Sequence, residues 1–259
     1  MRSLVGIVLG MSLAAAGAAP ASAQITQNSL ELHGRTLALG SIEQERLGEL
    51  AETLRGNAAA QDRALAAARA AVDSPDARYV LAVYQLEIGR QRRDDTLRIP
   101  ALDVLIASPD TPASRLIGYL GVRGDIAYRA HDYETASAAW TRLAALTPES
   151  PQSLMNLAQV RQGLNDPQGA SDLVERAIGL LPPGAPPPPE SWYRQWVSIT
   201  YNARLAGKTA AAAQALVAAY PSPANWRFAL VAWRQLEAPR DGAEIDFLRL
   251  MRTAGVTFW

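Results

Sequence analysis

Residues 130–148 read AHDYETASAAWTRLAALTP, and this stretch decides the fold. Its apolar side chains recur every three or four residues, the spacing that places them on one face of a helix. The set consists of Tyr133, Ala136, Trp140 and Leu143. Pro148 follows, and a proline cannot continue a helix because it lacks the backbone N–H and its ring clashes with the preceding turn. The stretch therefore predicts one amphipathic helix that ends near residue 148.

The same pattern returns 34 residues farther along the chain. Small residues match small ones, large apolar residues match large ones, and proline matches proline. The matched positions are Gly124 and Ala158, Asp132 and Asp166, Ala136 and Ala170, Trp140 and Val174, and Pro148 and Pro182. Small residues are needed where the two helices of a pair cross closely, and the proline directs the chain into the next pair. A 34-residue unit of two helices resembles the tetratricopeptide repeat (TPR) family.

That resemblance implies an all-α fold, a TPR-like superhelix built as a solenoid of antiparallel helix pairs. It covers about residues 77–255, and we assign residues 41–259 to the repeat domain. Pro100 lies inside one predicted helix and predicts a kink or a late helix start there. The other predicted helices are 41–54 and 57–72, 76–89 and 94–109, a pair that ends at Pro221 with its second helix about a turn short, and a last pair within 223–255.

The N-terminus has the layout of a secretory signal. A positive charge at Arg2 precedes an apolar run, and the small-residue motif Ala21-Ser22-Ala23 follows it. We therefore assign residues 1–23 to a cleaved signal peptide, with an uncleaved membrane anchor as the alternative, and residues 24–40 to a partly ordered lead-in segment. The chain has no cysteine, which excludes a disulfide framework, a thiol nucleophile and a lipoprotein anchor. The predicted location is the bacterial periplasm.

Residues 182–190 read PPGAPPPPE and cannot form a helix. We interpret this Pro-rich segment as a loop between two repeats; a docking segment for an aromatic-lined groove and a hinge between two sub-bundles are the alternatives.

Sequence motifs for catalysis or metal binding are missing. The chain carries 25 basic and 25 acidic residues, so no basic field for nucleic acid exists. Its two histidines are His33 and His131, and no nucleophile elbow, zinc motif, phosphate loop or dinucleotide fingerprint occurs. We predict no catalytic, cofactor-binding or metal-binding residue, and no enzymatic activity. An envelope hydrolase or polysaccharide-processing factor that uses carboxylates such as Asp94 and Asp95 is the alternative.

The family resemblance implies a concave face, lined by the first helix of each pair, that binds a partner protein or peptide. Tyrosine and arginine among polar residues are typical of such interfaces. The positions predicted to bind peptide are Asp125, Tyr128, Arg129, Gln152, Met155, Gln159, Arg194, Tyr201 and Arg204. Val197 belongs to the same predicted face. A homo-oligomeric structural protein with contacts at Trp192, Trp226 or Trp259 is a further alternative.

Residues 191–236 carry a narrower resemblance. A Trp-Tyr start, a second helix that ends in Tyr-Pro and a tryptophan that opens the next repeat are similar to periplasmic TPR proteins that accompany TonB–ExbB–ExbD systems. That similarity implies an accessory role beside an envelope transport complex. The predicted partner is accordingly an envelope protein or peptide.

Overall fold

A computed structural model describes residues 24–26, 29–180, 186–236, 249 and 252–253. The predicted signal peptide, the second helix of the last predicted pair and the aromatic C-terminus lie wholly or largely outside these residues. The described part contains three strands, β1 Gln24–Thr26, β2 Ser29–Leu32 and β3 Arg35–Ala38. It also contains eleven helices: α1 Ser41–Thr53, α2 Ala58–Ala71, α3 Pro75–Arg92, α4 Asp95–Ala107, α5 Ala113–Arg129, α6 Tyr133–Leu146, α7 Pro151–Gly163, α8 Pro167–Gly179, α9 Glu190–Asn202, α10 Ala206–Ala219 and α11 Pro223–Leu236.

Local sequence signals set where the helices begin. A short polar side chain before the first turn accepts a hydrogen bond from an otherwise unpaired backbone N–H, which stabilises the helix start. This arrangement occurs at Asn57, Ser74, Asp94, Asp132, Ser150 and Asp166. Prolines occupy the first helical position of α3, α7 and α8, where the missing N–H costs nothing.

One turn geometry recurs between the two helices of successive pairs. The first or second residue after the first helix of each pair adopts the left-handed conformation, with φ between 55° and 59°, at Arg93, His131, Asn165 and Arg204. The next N–H then bonds back to a carbonyl of the last helical turn, for example Asp132 N to Ala127 O at 2.9 Å and Asp166 N to Arg161 O at 2.8 Å. The predicted TPR-like fold of paired helices is confirmed.

The chain divides into two compact units, residues 1–126 and 127–259. In the first unit, residues 24–26 and 29–38 contain an antiparallel sheet in the order β1–β2–β3, which differs from the partly ordered segment that the sequence predicts. Leucines on one face of β2 and β3 and just beyond β3 are at most 7% exposed and belong to the same core as α1 and α3. They are Leu30, Leu32, Leu37 and Leu39. Burial of these leucines supplies the free energy that orders the segment.

The helices on either side of the α3–α4 turn differ in part from the prediction. α3 runs to Arg92, about one turn beyond Gly89. α4 begins at Asp95, one residue from the predicted start, and contains Pro100, so of the two alternatives given for Pro100 the late start is wrong. Gln85 of α3 donates a 2.8 Å hydrogen bond to the carbonyl oxygen of Leu97 and so ties α3 to the first turn of α4.

The second unit follows the predicted repeat closely. The small residues at the helix crossings, Ala136, Ala158 and Ala170, are 0% exposed, and Trp140 is 1% exposed. α10 has 14 residues, as α6 has, so the prediction of a shortened second helix is wrong. The spacing from the left-handed turn to the closing proline is also constant at 17 residues. It joins His131 to Pro148, Asn165 to Pro182 and Arg204 to Pro221.

Candidate functional site between α9 and α11

Two adjoining cavities lie between α9 and α11 in the second unit. Their volumes are about 440 and 270 Å³, and Tyr201 and Asn202 line both of them. The larger cavity is also lined by Arg204, Gln235 and Leu236. The smaller one is also lined by Val197, Ser198, Phe228, Val231 and Ala232. We call this continuous depression the α9–α11 groove.

Arg194 links the two helices that form the groove. Its Nη1 donates to Oδ1 of Asn225 at 2.6 Å, and its Cζ lies 4.5 Å from the centre of the Phe228 ring. Asn225 is 1% exposed and its Nδ2 donates to the carbonyl oxygen of Tyr220 at 3.0 Å. Hydrogen bonds to a buried amide together with a cation–π contact fix the distance between α9 and α11. The groove therefore has a defined width without any ligand.

The opposite side of α9 is anchored to α8. Nε1 of Trp196 donates to Oγ of Ser171 at 2.9 Å, and Ser171 is fully buried. The hydroxyl of Thr200 donates to the carbonyl oxygen of Trp196 at 3.0 Å. The Thr200 bond lies within α9, so the bond from Trp196 to Ser171 is the contact that fixes the rotation of α9 against α8, and Tyr201 and Asn202 face the groove.

The groove combines polar and apolar lining. Asn202 and Gln235 carry amides, Tyr201 carries a hydroxyl, and Phe228 and Val231 supply apolar surface. Val231 is 51% exposed, which is unusual for a large aliphatic side chain. Amides that bond to a peptide backbone beside pockets that hold side chains are the means by which grooves recognise extended polypeptide.

Among the described residues that line the two cavities, Arg204 is the one that carries a charge. It sits in the left-handed turn after α9, with a φ of 56°, and its backbone N–H donates to the carbonyl oxygen of Tyr201 at 3.0 Å. Arg204 is exposed. Within the described ranges its guanidinium makes no hydrogen bond or ion pair.

The structure places only some of the predicted peptide-binding residues at the groove. Tyr201 and Arg204 line the groove, and Arg194 lies beside it but is engaged with Asn225, Phe228 and, at 3.6 Å, Glu190. Val197 lines the smaller cavity although it is itself buried.

The remaining predicted residues lie on α5 and α7. Met155 is 1% exposed and packs in the core, so its assignment to a binding face is wrong. Tyr128 is half-buried with its ring 5.7 Å from that of Trp140. Gln152 is exposed and donates to Asn156, while Gln159 is half-buried. Asp125, in the first unit, and Arg129, in the second, are exposed.

The left-handed turns correct the repeat register of the residues that were predicted to bind peptide on α9 and just after it. Counted from the turn residue, Arg194 is equivalent to Met155 and Gly121, and Tyr201 is equivalent to Gln162 and Tyr128. The prediction placed the α9 residues three positions farther along, since the Pro-rich insertion lengthens the link between α8 and α9. Arg204 is therefore a turn residue rather than a helix-face residue.

Seven of the described groove residues were not predicted: Ser198, Asn202, Phe228, Val231, Ala232, Gln235 and Leu236. Five of them lie on α11, for which no repeat register was assigned. The spacing of the aromatic and aliphatic residues over 226–236 could have identified them. It would have required aligning this stretch with α9, as the first helix of a further pair.

The equivalent face in the first unit carries a different set of side chains. Counted from Arg93, the α3 residues equivalent to Val197, Ser198, Tyr201 and Asn202 are Leu86, Glu87, Arg90 and Gln91. Glu87 accepts hydrogen bonds from Arg90 at 2.7 Å and from Gln91 at 2.8 Å, so these polar side chains bond to one another. The α9–α11 groove is therefore the candidate site.

Other features of the described residues bear on the remaining predictions. No group of three histidine, aspartate or glutamate side chains within residues 29–180 and 186–236 could hold a metal ion. None of the described helices has the length and apolar character that crossing a bilayer requires. His33 lies in the β2–β3 turn, 3.0 Å from the hydroxyl of Tyr79, and His131 lies exposed in the turn after α5.

The Pro-rich segment and the tryptophans are partly described. The hydroxyl of Tyr220 donates to the carbonyl oxygen of Pro188 at 2.7 Å, so the end of the segment is held against α10. Trp192 and Trp226 are half-buried, and Trp259 lies outside the described residues. Trp226 and Trp233 line an apolar cavity of about 350 Å³ between α10 and α11.

Comparison with known proteins gives distant resemblances in structure alone. No protein-family model matches the sequence, and no curated protein matches it. The crystal structure of MamA has a TM-score of 0.49 and 13% identity, over 68% of this chain and 91% of MamA. BtubC from P. vanneervenii has a TM-score of 0.45 and 14% identity, over 82% and 93% of the two chains. Pseudomonas aeruginosa pilF has a TM-score of 0.41 and 18% identity, over 83% and 93%. Function is accordingly argued from the site.

Proposed function

We infer that this chain is an exported, non-enzymatic scaffold of the bacterial cell envelope that holds an extended segment of a partner protein in the α9–α11 groove. The observation that carries this function is the groove itself, two joined cavities fixed in width by Arg194 and Asn225. A preformed cleft lowers the entropic cost of binding, because little has to be ordered when the partner arrives.

The polar and apolar lining supports a polypeptide ligand. Tyr201, Asn202 and Gln235 supply donors and acceptors for a peptide backbone, and Phe228 and Val231 supply surface for one side chain. The exposed Val231 gains most from such a contact, since burial of an apolar side chain is favourable by about 25 cal/mol for each Å² removed from water.

The location and the kind of partner rest on the sequence. The signal-like residues 1–23 support export, and the similarity of residues 191–236 to TPR proteins beside TonB–ExbB–ExbD systems supports a partner in an envelope transport complex. Mass spectrometry of the protein purified from periplasmic extract tests export. The expected N-terminal residue is Gln24; a protein that retains residues 1–23 and stays in the cell interior contradicts it.

Site-specific photocrosslinking in cells tests the groove. A photoreactive residue placed at Val231 is expected to capture a defined envelope protein, which mass spectrometry identifies. The matched control is Val104 of α4, a valine that is 41% exposed but lines none of the described cavities. Equal adducts from both positions, or no adduct from position 231, contradict the groove as the binding site.

A further inference from the structure

We propose that Arg204 makes the α9–α11 groove selective for partner segments in which an acidic side chain stands next to an apolar one. This inference rests on the proposed function, since it names the kind of segment that the groove binds. Arg204 is one of the residues predicted to bind peptide, and the structure places it in the turn after α9 rather than on a helix face.

The charge of the groove is the first argument. Among the described residues that line the two cavities, Arg204 is the one that carries a charge, and none is a carboxylate. Its guanidinium is exposed and, in the part of the chain that the structure describes, makes no hydrogen bond or ion pair. Arg194, near the start of α9, already has Glu190 and Asn225 as partners. An available cation among these lining residues is complementary to a negatively charged ligand group.

The position of Arg204 is the second argument. Its backbone is held on both sides, because Arg204 N donates to Tyr201 O at 3.0 Å and Leu205 N donates to Thr200 O at 2.9 Å. The side chain therefore departs from a fixed point at the mouth of the larger cavity. Five guanidinium donors in a planar fork can bind both oxygens of one carboxylate, which gives directional recognition.

A structural role for the same charge has to be separated from recognition. A cation near the C-terminal end of a helix balances the partial negative charge of the last carbonyls. Arg93 fills that role in the equivalent turn after α3, with a φ of 55°, and it lines none of the described cavities. Arg93 is thus a matched control for every effect of Arg204 that does not involve the groove.

The smaller cavity is the reason that the partner segment also needs an apolar side chain. Phe228 and Val231 line it, and it meets the larger cavity at Tyr201 and Asn202. A segment that places a carboxylate beside Arg204 therefore reaches the apolar surface with a neighbouring side chain.

Selection of ligands from a phage-displayed library of random linear peptides, with the full chain as bait, tests the proposal. We expect the selected peptides to carry aspartate or glutamate next to a leucine, isoleucine, valine or phenylalanine. Replacement of that acid by its amide in a synthetic copy of a selected peptide is expected to raise the Kd about tenfold, the usual effect of losing a charge-assisted hydrogen bond. Added salt is expected to weaken binding of the acidic copy more than that of the amide copy.

Two variants test whether the preference for an acidic peptide depends on Arg204. Arg204→Asn and Arg93→Asn each place asparagine in a left-handed turn, the residue that Asn165 supplies naturally. Both are expected to keep the helical circular dichroism of the parent protein. Arg204→Asn is expected to raise the Kd of the acidic peptide about tenfold and to abolish its preference over the amide copy, whereas Arg93→Asn is expected to change neither.

The possible failures are distinguishable. If the selected peptides crosslink to a photoreactive residue at position 231 but bind the Arg204→Asn variant as tightly as the parent, this inference is overturned and the proposed function survives. If no peptide is enriched, or if enriched peptides do not crosslink at position 231, both the inference and the proposed groove are overturned.

Discussion

The carboxylate of Glu43 accepts two hydrogen bonds from Ser74, one from its backbone N–H at 2.8 Å and one from its hydroxyl at 2.9 Å. The backbone N–H groups of Asp73 and Gly40 donate to the same carboxylate, each at 2.9 Å. Glu43 lies in the first turn of α1 and is 7% exposed, and Ser74 precedes the first turn of α3. One buried charge therefore joins the start of α1 to the α2–α3 connection.

Glu43→Gln is expected to destabilise the first unit by about 2 to 3 kcal/mol at pH 7, because an amide replaces an acceptor oxygen by a donor that faces other donors. Burial alone would raise the pKa of Glu43, but the N–H groups of Ser74, Asp73 and Gly40 outweigh it and lower the pKa to about 2. The stabilisation is therefore complete above pH 4.5 and is lost as the pH falls towards 2. Urea unfolding as a function of pH measures both effects.

The control for this substitution is Glu45→Gln in the same helix, an exposed glutamate 4.0 Å from Arg46. It is expected to change the free energy of unfolding by less than about 0.5 kcal/mol. Equal effects at the two positions show that the hydrogen bonds to Glu43 contribute nothing specific.

His33 is expected to make the fold sensitive to mild acid. Burial, and secondarily the charge of Arg115, lowers the pKa of His33 from 6.5 to about 4. Because the unfolded chain binds the proton more tightly, stability is complete above pH 6.5 and falls as the pH drops towards 4. His33→Asn keeps a residue suited to the turn, where φ is 56°, and removes the titrating ring. The variant is expected to lose less stability than the parent between pH 7 and pH 5, as thermal unfolding at the two pH values would measure.

His131→Asn is the matched control, since His131 has a similar φ of 59° but is exposed. It tests whether the effect of the substitution is specific to position 33, and an equal change in stability at position 131 contradicts the assignment to His33. A parent protein whose stability is the same at pH 7 and pH 5 contradicts the burial of a neutral His33.

Ser171→Ala is expected to destabilise the second unit by about 1 to 3 kcal/mol, because it leaves the buried indole N–H of Trp196 without an acceptor. Trp196→Phe removes the donor as well, at the cost of some packing. The double variant is therefore expected to lose less than the sum of the two single losses. Chemical denaturation of the four proteins measures this coupling, and strict additivity shows that the hydrogen bond is not formed.

Much of the fold was predictable because each amphipathic helix has apolar residues that recur every three or four positions over a long stretch of sequence. The repeat could be predicted from two features, the spacing of Ala136, Trp140 and Leu143 and the prolines that close each pair. The three strands were not predicted, although the sequence contains short patterns that are typical of strands. Leucines alternate with Glu31 at 30–32 and with the small Ala38 at 37–39, and His33 and Gly34, with φ values of 56° and 79°, form the tight turn of a hairpin.

The site was less predictable because it depends on register. Copying the lining positions from one repeat to the next requires knowing where each turn falls. The Pro-rich insertion lengthens the spacing between successive turns from 34 residues (His131 to Asn165) to 39 (Asn165 to Arg204), and the prediction placed the α9 positions three residues too far along. Met155 shows a second limit. An apolar residue at a lining position can turn into the core, where burial is favourable, and no pattern in α7 distinguishes the two outcomes. The α11 side of the groove depends on contacts between helices distant in sequence.

Gly89→Ala is expected to destabilise the first unit by about 1 to 2 kcal/mol, although alanine is the better helix former. A Cβ at position 89 would lie 3.1 Å from both the backbone nitrogen of Arg98 and the carbonyl oxygen of Asp94, and 2.7 Å from Cγ of Arg98. The first two are backbone atoms at the start of α4, so relief of the contact requires α4 to move away from α3. Gly48→Ala in α1 is the control, because nothing lies within 4 Å of its Cβ position, and it is expected to stabilise by about 0.5 to 1 kcal/mol. Thermal unfolding of both variants compares them, and a gain at position 89 equal to that at position 48 shows that α3 and α4 do not cross closely there.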